Sequence, residues 1–298
     1  MHANSSVGGA ISRLQPFDLL KDVEDRVAAS LQRETGLTSG RGPSARRASL
    51  HHMASKGQRV RTRLALHAGL ALGLAADDAV TIATAVELLH NASLIHDDIQ
   101  DRDKLRRGRE SVWAAFGEDV AICAGDLLLS SAYAALSAFS TPAKLPTLIS
   151  LTHSRTALAI AGQCDDLGAR RRRSIGISEY EQIVVAKSGA LLSLPLELAL
   201  VASDNATSCP LARHAAESFA IGYQIVDDIE DRDADARTPG SLNMIEVLRE
   251  AGHCDDTLGL ARSLGLKHLS NAATAALVLP ERCGDLLREY ALRVSAQL

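Results

Sequence analysis

A chain of 298 residues, 46% of them hydrophobic, is long enough for one large domain or two small ones, and its formal net charge of −4 argues against a nucleic-acid binder that relies on overall basicity. Aromatic residues make up only 3% while alanine and leucine recur throughout, which favours helices over sheet, and no β-rich block is found. The five cysteines, Cys123, Cys164, Cys209, Cys254 and Cys283, are odd in number, scattered and without CxxC spacing, so they suggest a reducing compartment and no zinc site.

The chain opens through Asn4, Ser5 and Ser6 without the basic-then-apolar order of a signal peptide. No uninterrupted apolar stretch of membrane-spanning length is apparent, so a soluble cytoplasmic protein without a transmembrane segment is expected. Residues 1–50 read as an N-terminal segment with an amphipathic helix near Phe17 to Leu31, broken by Gly40-Arg41-Gly42-Pro43. Residues 51–298 read as one helical domain. The predicted helices run over Arg59 to Leu74, Asp77 to Asp101, Ala121 to Ser137, Lys144 to Leu167, Ser178 to Ala202 and Pro210 to Asp231, with shorter ones after Leu242. Ser178 with Glu181 has the form of a capping box, and Pro210 suits a first turn. The run Arg170 to Arg173 falls in a predicted loop and reads as a solvated turn, or else as a contact to an anionic surface or substrate.

Two clusters carry the chemistry: Asp97-Asp98-Ile99-Gln100-Asp101 and Asp227-Asp228-Ile229-Glu230-Asp231. In each, the first and last aspartates fall on one helix face a single turn apart, and each follows a strongly apolar run, Thr84 to Ile95 and Ser218 to Val226. A single DDxxD is commonly just a solvated acidic face; two copies ending apolar helices instead build an oxygen cage for a hard cation. Mg²⁺ accepts carboxylates while keeping water and phosphate as its other ligands, so the implied substrate carries phosphate. Arg106 and Arg107 after the first cluster, Lys56, Arg59 and Arg61 upstream, and Lys187 in an apolar helix are the candidate phosphate cations. The expected architecture is an all-α bundle around a deep pocket with an acidic mouth and greasy walls.

The segment from Glu87 to His96 leading into the first motif, then Leu105-Arg106-Arg107-Gly108, Gly125-Asp126-Leu127-Leu128, Gly162-Gln163, Lys187-Ser188-Gly189 and Tyr223-Gln224-Ile225-Val226-Asp227-Asp228, resembles the trans-isoprenyl diphosphate synthases, or polyprenyl synthetases, in the right order from about Lys56 onward. The resemblance implies an isoprenoid synthase fold of the class I terpenoid synthase kind and a homodimer. It implies that Asp97, Asp101 and Asp227 hold magnesium, three ions with bound diphosphate, supported by Asp98, Asp228 and Asp231. Arg106, Lys187 and Gln224 would stabilise the departing diphosphate of an allylic substrate, and Arg59, His90 and Arg107 would hold isopentenyl diphosphate. Against these roles stand plainer ones: surface arginines for Arg106 and Arg107, a satisfied core histidine for His90, and a contact behind Asp97 for His96. Ala92 and Ser93, four and five residues before Asp97, are small where a short-chain enzyme places an aromatic floor, with Leu89 and Val86 as deeper walls, so the resemblance implies a product beyond C15, geranylgeranyl diphosphate foremost.

The chain departs from the family pattern twice. Gln58 stands where the family has a lysine, and the glycine-lysine after the second motif is missing, with Arg237 nearby. A weakened isopentenyl site would suit the alternative of a terpene cyclase-like or prenyl-transfer enzyme acting on a finished prenyl diphosphate. A noncatalytic subunit is disfavoured, since both motifs are intact.

Overall fold

The computed structural model describes residues 19–32, 44–55, 57–172, 174–232, 242–253 and 255–298. The expectations placed on the chain start, Phe17, Gly40 to Pro43, Lys56, Arg173, Arg237 and Cys254 lie outside these residues. Helices α1 (Leu20–Gln32), α2 (Ala45–Met53) and α3 (Val60–Ala71) lead into the long α4 (Ala76–Gln100). A short hairpin of β1 (Leu105–Arg106) and β2 (Arg109–Glu110) pairs Leu105 with Glu110 and turns through Arg107 and Gly108, both at positive φ. Then follow α5 (Val112–Phe116), α6 (Glu118–Leu136), α7 (Leu145–Ala169), α8 (Ile177–Val184), a π-helical turn (Val185–Gly189), α9 (Ala190–Ala202), α10 (Cys209–Glu230), α11 (Met244–Glu250), α12 (Thr257–Leu277) and α13 (Asp285–Ser295).

Helix α9 is buried on every side from Ala190 to Leu200, its single charge, Glu197, paired with Arg155 and Arg213, so it forms the axis of the bundle. Its Leu192, Leu196, Ala199 and Leu200 pack into one core with α10, α12 and α13. Its Leu191, Leu194 and Leu198 pack into a second core with α4 and α6. Helices α1 and α2 add Val23, Val27, Leu31 and Ala48 to that second core, so the described N-terminal helices are part of the bundle wall.

Two sequence expectations need correction. The helix expected over Ser178 to Ala202 is three pieces, and Gly176, with no side-chain cap, precedes its first turn; Ser178 lies inside the helix and accepts a hydrogen bond from the Gln182 amide at 3.5 Å. Pro195 inside α9 cannot donate to the preceding turn, and the chain widens into a π turn just before α9 begins. Secondly, Glu118–Leu136 and Ile177–Ala202 do have the length and hydropathy of a membrane span. The second is 78% buried inside the bundle, where a core helix must be as apolar as a lipid-facing one, and the first carries Asp119 and Asp126 on its exposed side.

The π turn brings its backbone against α7 at Gly162. A methyl group there would fall inside contact distance of the Lys187 amide nitrogen and of Ala186. Because backbone cannot swing away as a flexible side chain can, Gly162→Ala should destabilise the fold by about 1–3 kcal/mol, read as a lower urea midpoint at unchanged slope. A midpoint equal to that of the wild type would mean that the π turn is not held by this contact.

Candidate active site

Both aspartate motifs end their helices in the same way. Asp101 and Asp231 follow the last residues of α4 and α10, with backbone angles of −87°, −7° and −89°, 1°, and each donates its amide to the carbonyl of the first aspartate, Asp97 or Asp227, at 2.8 Å. Helix C-termini carry partial negative charge, so acidic side chains placed there raise the local demand for a cation.

Within each motif the middle aspartate is bonded by the protein, Asp228 through both oxygens and Asp98 through Oδ1, its buried Oδ2 left without a hydrogen bond among the described residues. Asp98 is fully buried and accepts from both Nε, at 2.7 Å, and Nη2 of Arg106, which the hairpin brings back over the helix end. Asp228 accepts from the Tyr180 hydroxyl at 2.6 Å, the Gln224 amide at 2.9 Å and the Met244 backbone N–H at 2.6 Å. Arg106 and Gln224, expected at the departing diphosphate, therefore spend these donors on Asp98 and Asp228.

The first aspartates are left open. Burial raises the Asp97 carboxyl to about 6 against the pull of Lys187, with Asp101 adding to the rise. Burial, then Asp228, Glu230 and Asp231, raises Asp227 to about 7. Neither accepts a hydrogen bond from a described side chain. A hard divalent cation fits this donor set. Among the described residues no three carboxylate, imidazole or thiolate groups converge on one point, so an ion held here would take one or two carboxylates and need water or phosphate for the rest of its shell.

A basic group lies within range of the Asp97 charge. His90 is largely buried, its Nε2 3.4 Å from Nη1 of Arg61, and burial together with Arg61 and Arg107 pushes its pKa well below the ordinary value. Burial lowers Arg61 to about 10 in spite of Glu87 and Asp97. Arg107 lies over Gly57, where any side chain would collide with its guanidinium, and donates to the Ser55 carbonyl at 3.2 Å. Arg59, by contrast, has a left-handed φ of 53° and pairs with Glu24 on α1. So Arg61, two residues on and about half a turn round, joins His90 where the sequence reading expected Arg59. A polar chain fixes this corner: neutral His52, its pKa lowered by burial to about 4, contacts Asn91 at 3.0 Å, Asn91 donates to Glu87 at 3.1 Å, and Thr62 donates to the other Glu87 oxygen.

Asp166, which sequence reasoning missed, lies at the centre of a third group. It accepts from Lys187 at 2.6 Å and from Arg170 at 2.7 Å, and Arg170 reaches on to Asp101 at 2.7 Å. Its position three residues after Gln163, one turn further along α7, was the available signal. Below Asp97 a cavity of about 250 Å³ descends past Ser93, Ala92 and Leu89 of α4, walled by Leu129, Ala159, Ile160 and Leu191, with Lys187 and Gln163 also lining it. All three residues proposed to set chain length line it; Val86 does not. His96 also lines it, packed over Gly125 with Nε2 3.6 Å from Asp126.

The raised Asp227 gives a signed expectation. Its ordinary value is 3.8, so between that pH and about 7 the folded state holds a proton that the unfolded chain has lost; stability of the metal-free protein then falls as the pH rises through this window. With metal chelated, Asp227→Asn should be more stable than wild type by about 1 kcal/mol or more at pH 8, the gain shrinking towards pH 4. Denaturant melts at both pH values measure it, and a gain independent of pH would contradict the charge argument.

With the geometry in place, comparison with known proteins is informative. The polyprenyl synthetase family profile matches residues 43–241. A geranylgeranyl pyrophosphate synthase of Geoglobus acetivorans is 35% identical over 188 residues, 62% of this chain and 59% of that protein, so the match spans about three fifths of that relative's length. A geranylgeranyl diphosphate synthase of Sulfolobus acidocaldarius is 32% identical over 267 residues, covering 85% of this chain and 80% of that one. Among solved structures, the Geoglobus acetivorans geranylgeranyl pyrophosphate synthetase superposes with a TM-score of 0.83 at 25% identity, covering 94% and 98% of the two chains. A decaprenyl diphosphate synthase from Rhodobacter capsulatus superposes at 0.79 with 20% identity, a likeness of fold alone. Two intact aspartate motifs on an all-α bundle, together with a profile match over most of the chain, place this protein in the polyprenyl synthetase family.

Proposed function

We propose that this protein is a magnesium-dependent trans-prenyltransferase that joins isopentenyl diphosphate to an allylic diphosphate and releases a linear all-trans prenyl diphosphate, with geranylgeranyl diphosphate as the product. The observation that carries the reading is the pairing of open, proton-retaining carboxylates at two helix ends with a buried cationic corner whose basicity is depressed. Each half lacks the charge that a metal-bound diphosphate on one side and a free diphosphate on the other would bring.

Asp97, Asp101 and Asp227 would hold the magnesium ions, three in number with bound diphosphate. Magnesium when bound neutralises the leaving diphosphate and so favours ionisation of the allylic C–O bond. Lys187 lines the cavity beside Asp97 and is placed to add positive charge there. Asp98, Arg106, Asp228 and Gln224 serve by fixing the two helix ends. On the other side Arg61, His90 and Arg107 are the groups to hold isopentenyl diphosphate, which makes the loss of a lysine at Gln58 tolerable. The isopentenyl double bond attacks the allylic cation, a C–C bond forms, and the proton lost from the adduct passes to the released diphosphate. No observation favours the cyclase-like alternative.

Dimethylallyl, geranyl and farnesyl diphosphate are the candidate primers. Four described cysteines are free, in keeping with a reducing cytoplasm. A homodimer is the assembly we infer from the family likeness, and exposed Ile122, Ile149 and Ile160 are apolar residues such an association would cover.

Incubation with magnesium, labelled isopentenyl diphosphate and each primer tests the reaction: label should enter a linear diphosphate, and an unlabelled hydrocarbon or alcohol from a finished prenyl diphosphate would refute elongation. The cavity adds a length test. A ring at position 92 would fill the space beside Ser93 and Leu89, and overpacking there is not readily relieved. Ala92→Phe should shift the product mainly to C15 or less while leaving magnesium dependence intact; an unchanged product spectrum would mean that the tail does not pass Ala92.

A further inference from the structure

Of the three carboxylates assigned to metal, Asp101 alone is hydrogen-bonded to a described basic side chain. Its Oδ1 accepts from Nη1 of Arg170 at 2.7 Å, and Nη2 of the same guanidinium bonds Asp166 at 2.7 Å, with the Asp101 side chain 20% and that of Asp166 4% exposed. Burial alone would lower Arg170, but Asp166 and Asp101 outweigh it and hold the guanidinium above its ordinary value.

We propose that Arg170 is a latch on the first aspartate motif, occupying Asp101 in the metal-free enzyme and competing with the divalent cation for it. The inference rests on the reading of Asp101 as a metal ligand and deepens it. A guanidinium bonded to a carboxylate oxygen puts a full positive charge where the cation must approach, and magnesium tolerates little distortion of its shell, so the two cannot share Asp101 freely. The latch can open without leaving a buried orphan. Asp166 keeps Lys187, at 2.6 Å, when Arg170 moves. Arg170 itself is the residue that closes the C-terminus of α7, its amide bonded to the Asp166 carbonyl at 3.1 Å, a position where positive charge is favoured in any case. Asp101 therefore meets a cation whether or not metal is present, while Asp97 and Asp227 have no hydrogen-bonded cation among the described residues. In the arginine run, Arg172 is turned away to Glu179 and takes no part.

The test is a titration of the purified full-length protein with Mn²⁺ alone, the unbound ion counted by electron paramagnetic resonance, for wild type, R170Q and R170K. R170Q removes the competing charge and should bind Mn²⁺ about fivefold more tightly, whereas R170K keeps the charge and should stay within about twofold of wild type. Thermal melts establish that both variants fold. Equal or weaker binding by R170Q, or tightening by R170K as large as that of R170Q, overturns the latch. So does a wild type that elongates labelled isopentenyl diphosphate with none of the three proteins binding Mn²⁺, because a latch must hold back an ion. Failure of elongation and of Mn²⁺ binding together would instead bring down the functional reading and the latch with it.

Discussion

Burying charges of one sign without their counter-ions costs a fold several kcal/mol per group, and a sequence retains such groups only where something else supplies the missing charge. This molecule does so twice within one site. Asp97 and Asp227 stand at the negative ends of two helices and keep their protons to unusually high pH, while Arg61 and His90, a short way off, are less basic than they would be in water. On the proposed function, magnesium with an allylic diphosphate answers the acidic half and the diphosphate of isopentenyl diphosphate the basic one, and much of the surrounding structure can be understood as what keeps the two halves from neutralising each other.

That separation is achieved with buried polar anchors. The middle aspartates tie α4 to the hairpin through Arg106 and α10 to α8 and α11 through Tyr180 and Met244, so the two helix ends are held from behind. His52, Asn91, Glu87 and Thr62 fix α2, α3 and α4 around the cationic corner. The π turn places Lys187 across from Gly162, where it meets Asp166 rather than falling onto Asp97. Such networks stabilise little in themselves but are costly to break halfway, which is a physical reason for a site of this kind to stay rigid before its ligands arrive.

Helix placement was largely legible in the sequence, because a bundle reports itself through apolar runs of period 3.6: α4, α6, α7 and α10 begin and end within three residues of expectation. The break before α9 was not, since Val185–Gly189 carries no helix-breaking signal and Pro195 lies beyond it, inside α9. In the site, the motif aspartates were legible as a set, but their division into anchors and open ligands was not; Asp97 and Asp98 are adjacent in sequence and differ only in what the fold brings to them. The choice of Arg61 over Arg59 depends on a left-handed residue at the start of α3, a backbone fact with no signature in a non-glycine residue. Asp166 escaped because a single carboxylate on α7 gains meaning only from Lys187 and Arg170, distant in the chain or hidden in a basic run.

The central claim, that the open aspartates take a diphosphate only through magnesium, is tested most directly by thermal melts of the protein at neutral pH with Mg²⁺, with inorganic diphosphate, and with both. The account predicts a shift of several degrees with the two together that clearly exceeds the sum of the shifts with each alone, because magnesium at the open aspartates completes its shell with diphosphate and each strengthens the binding of the other there. Additive shifts, or a full shift with either component alone, would contradict it.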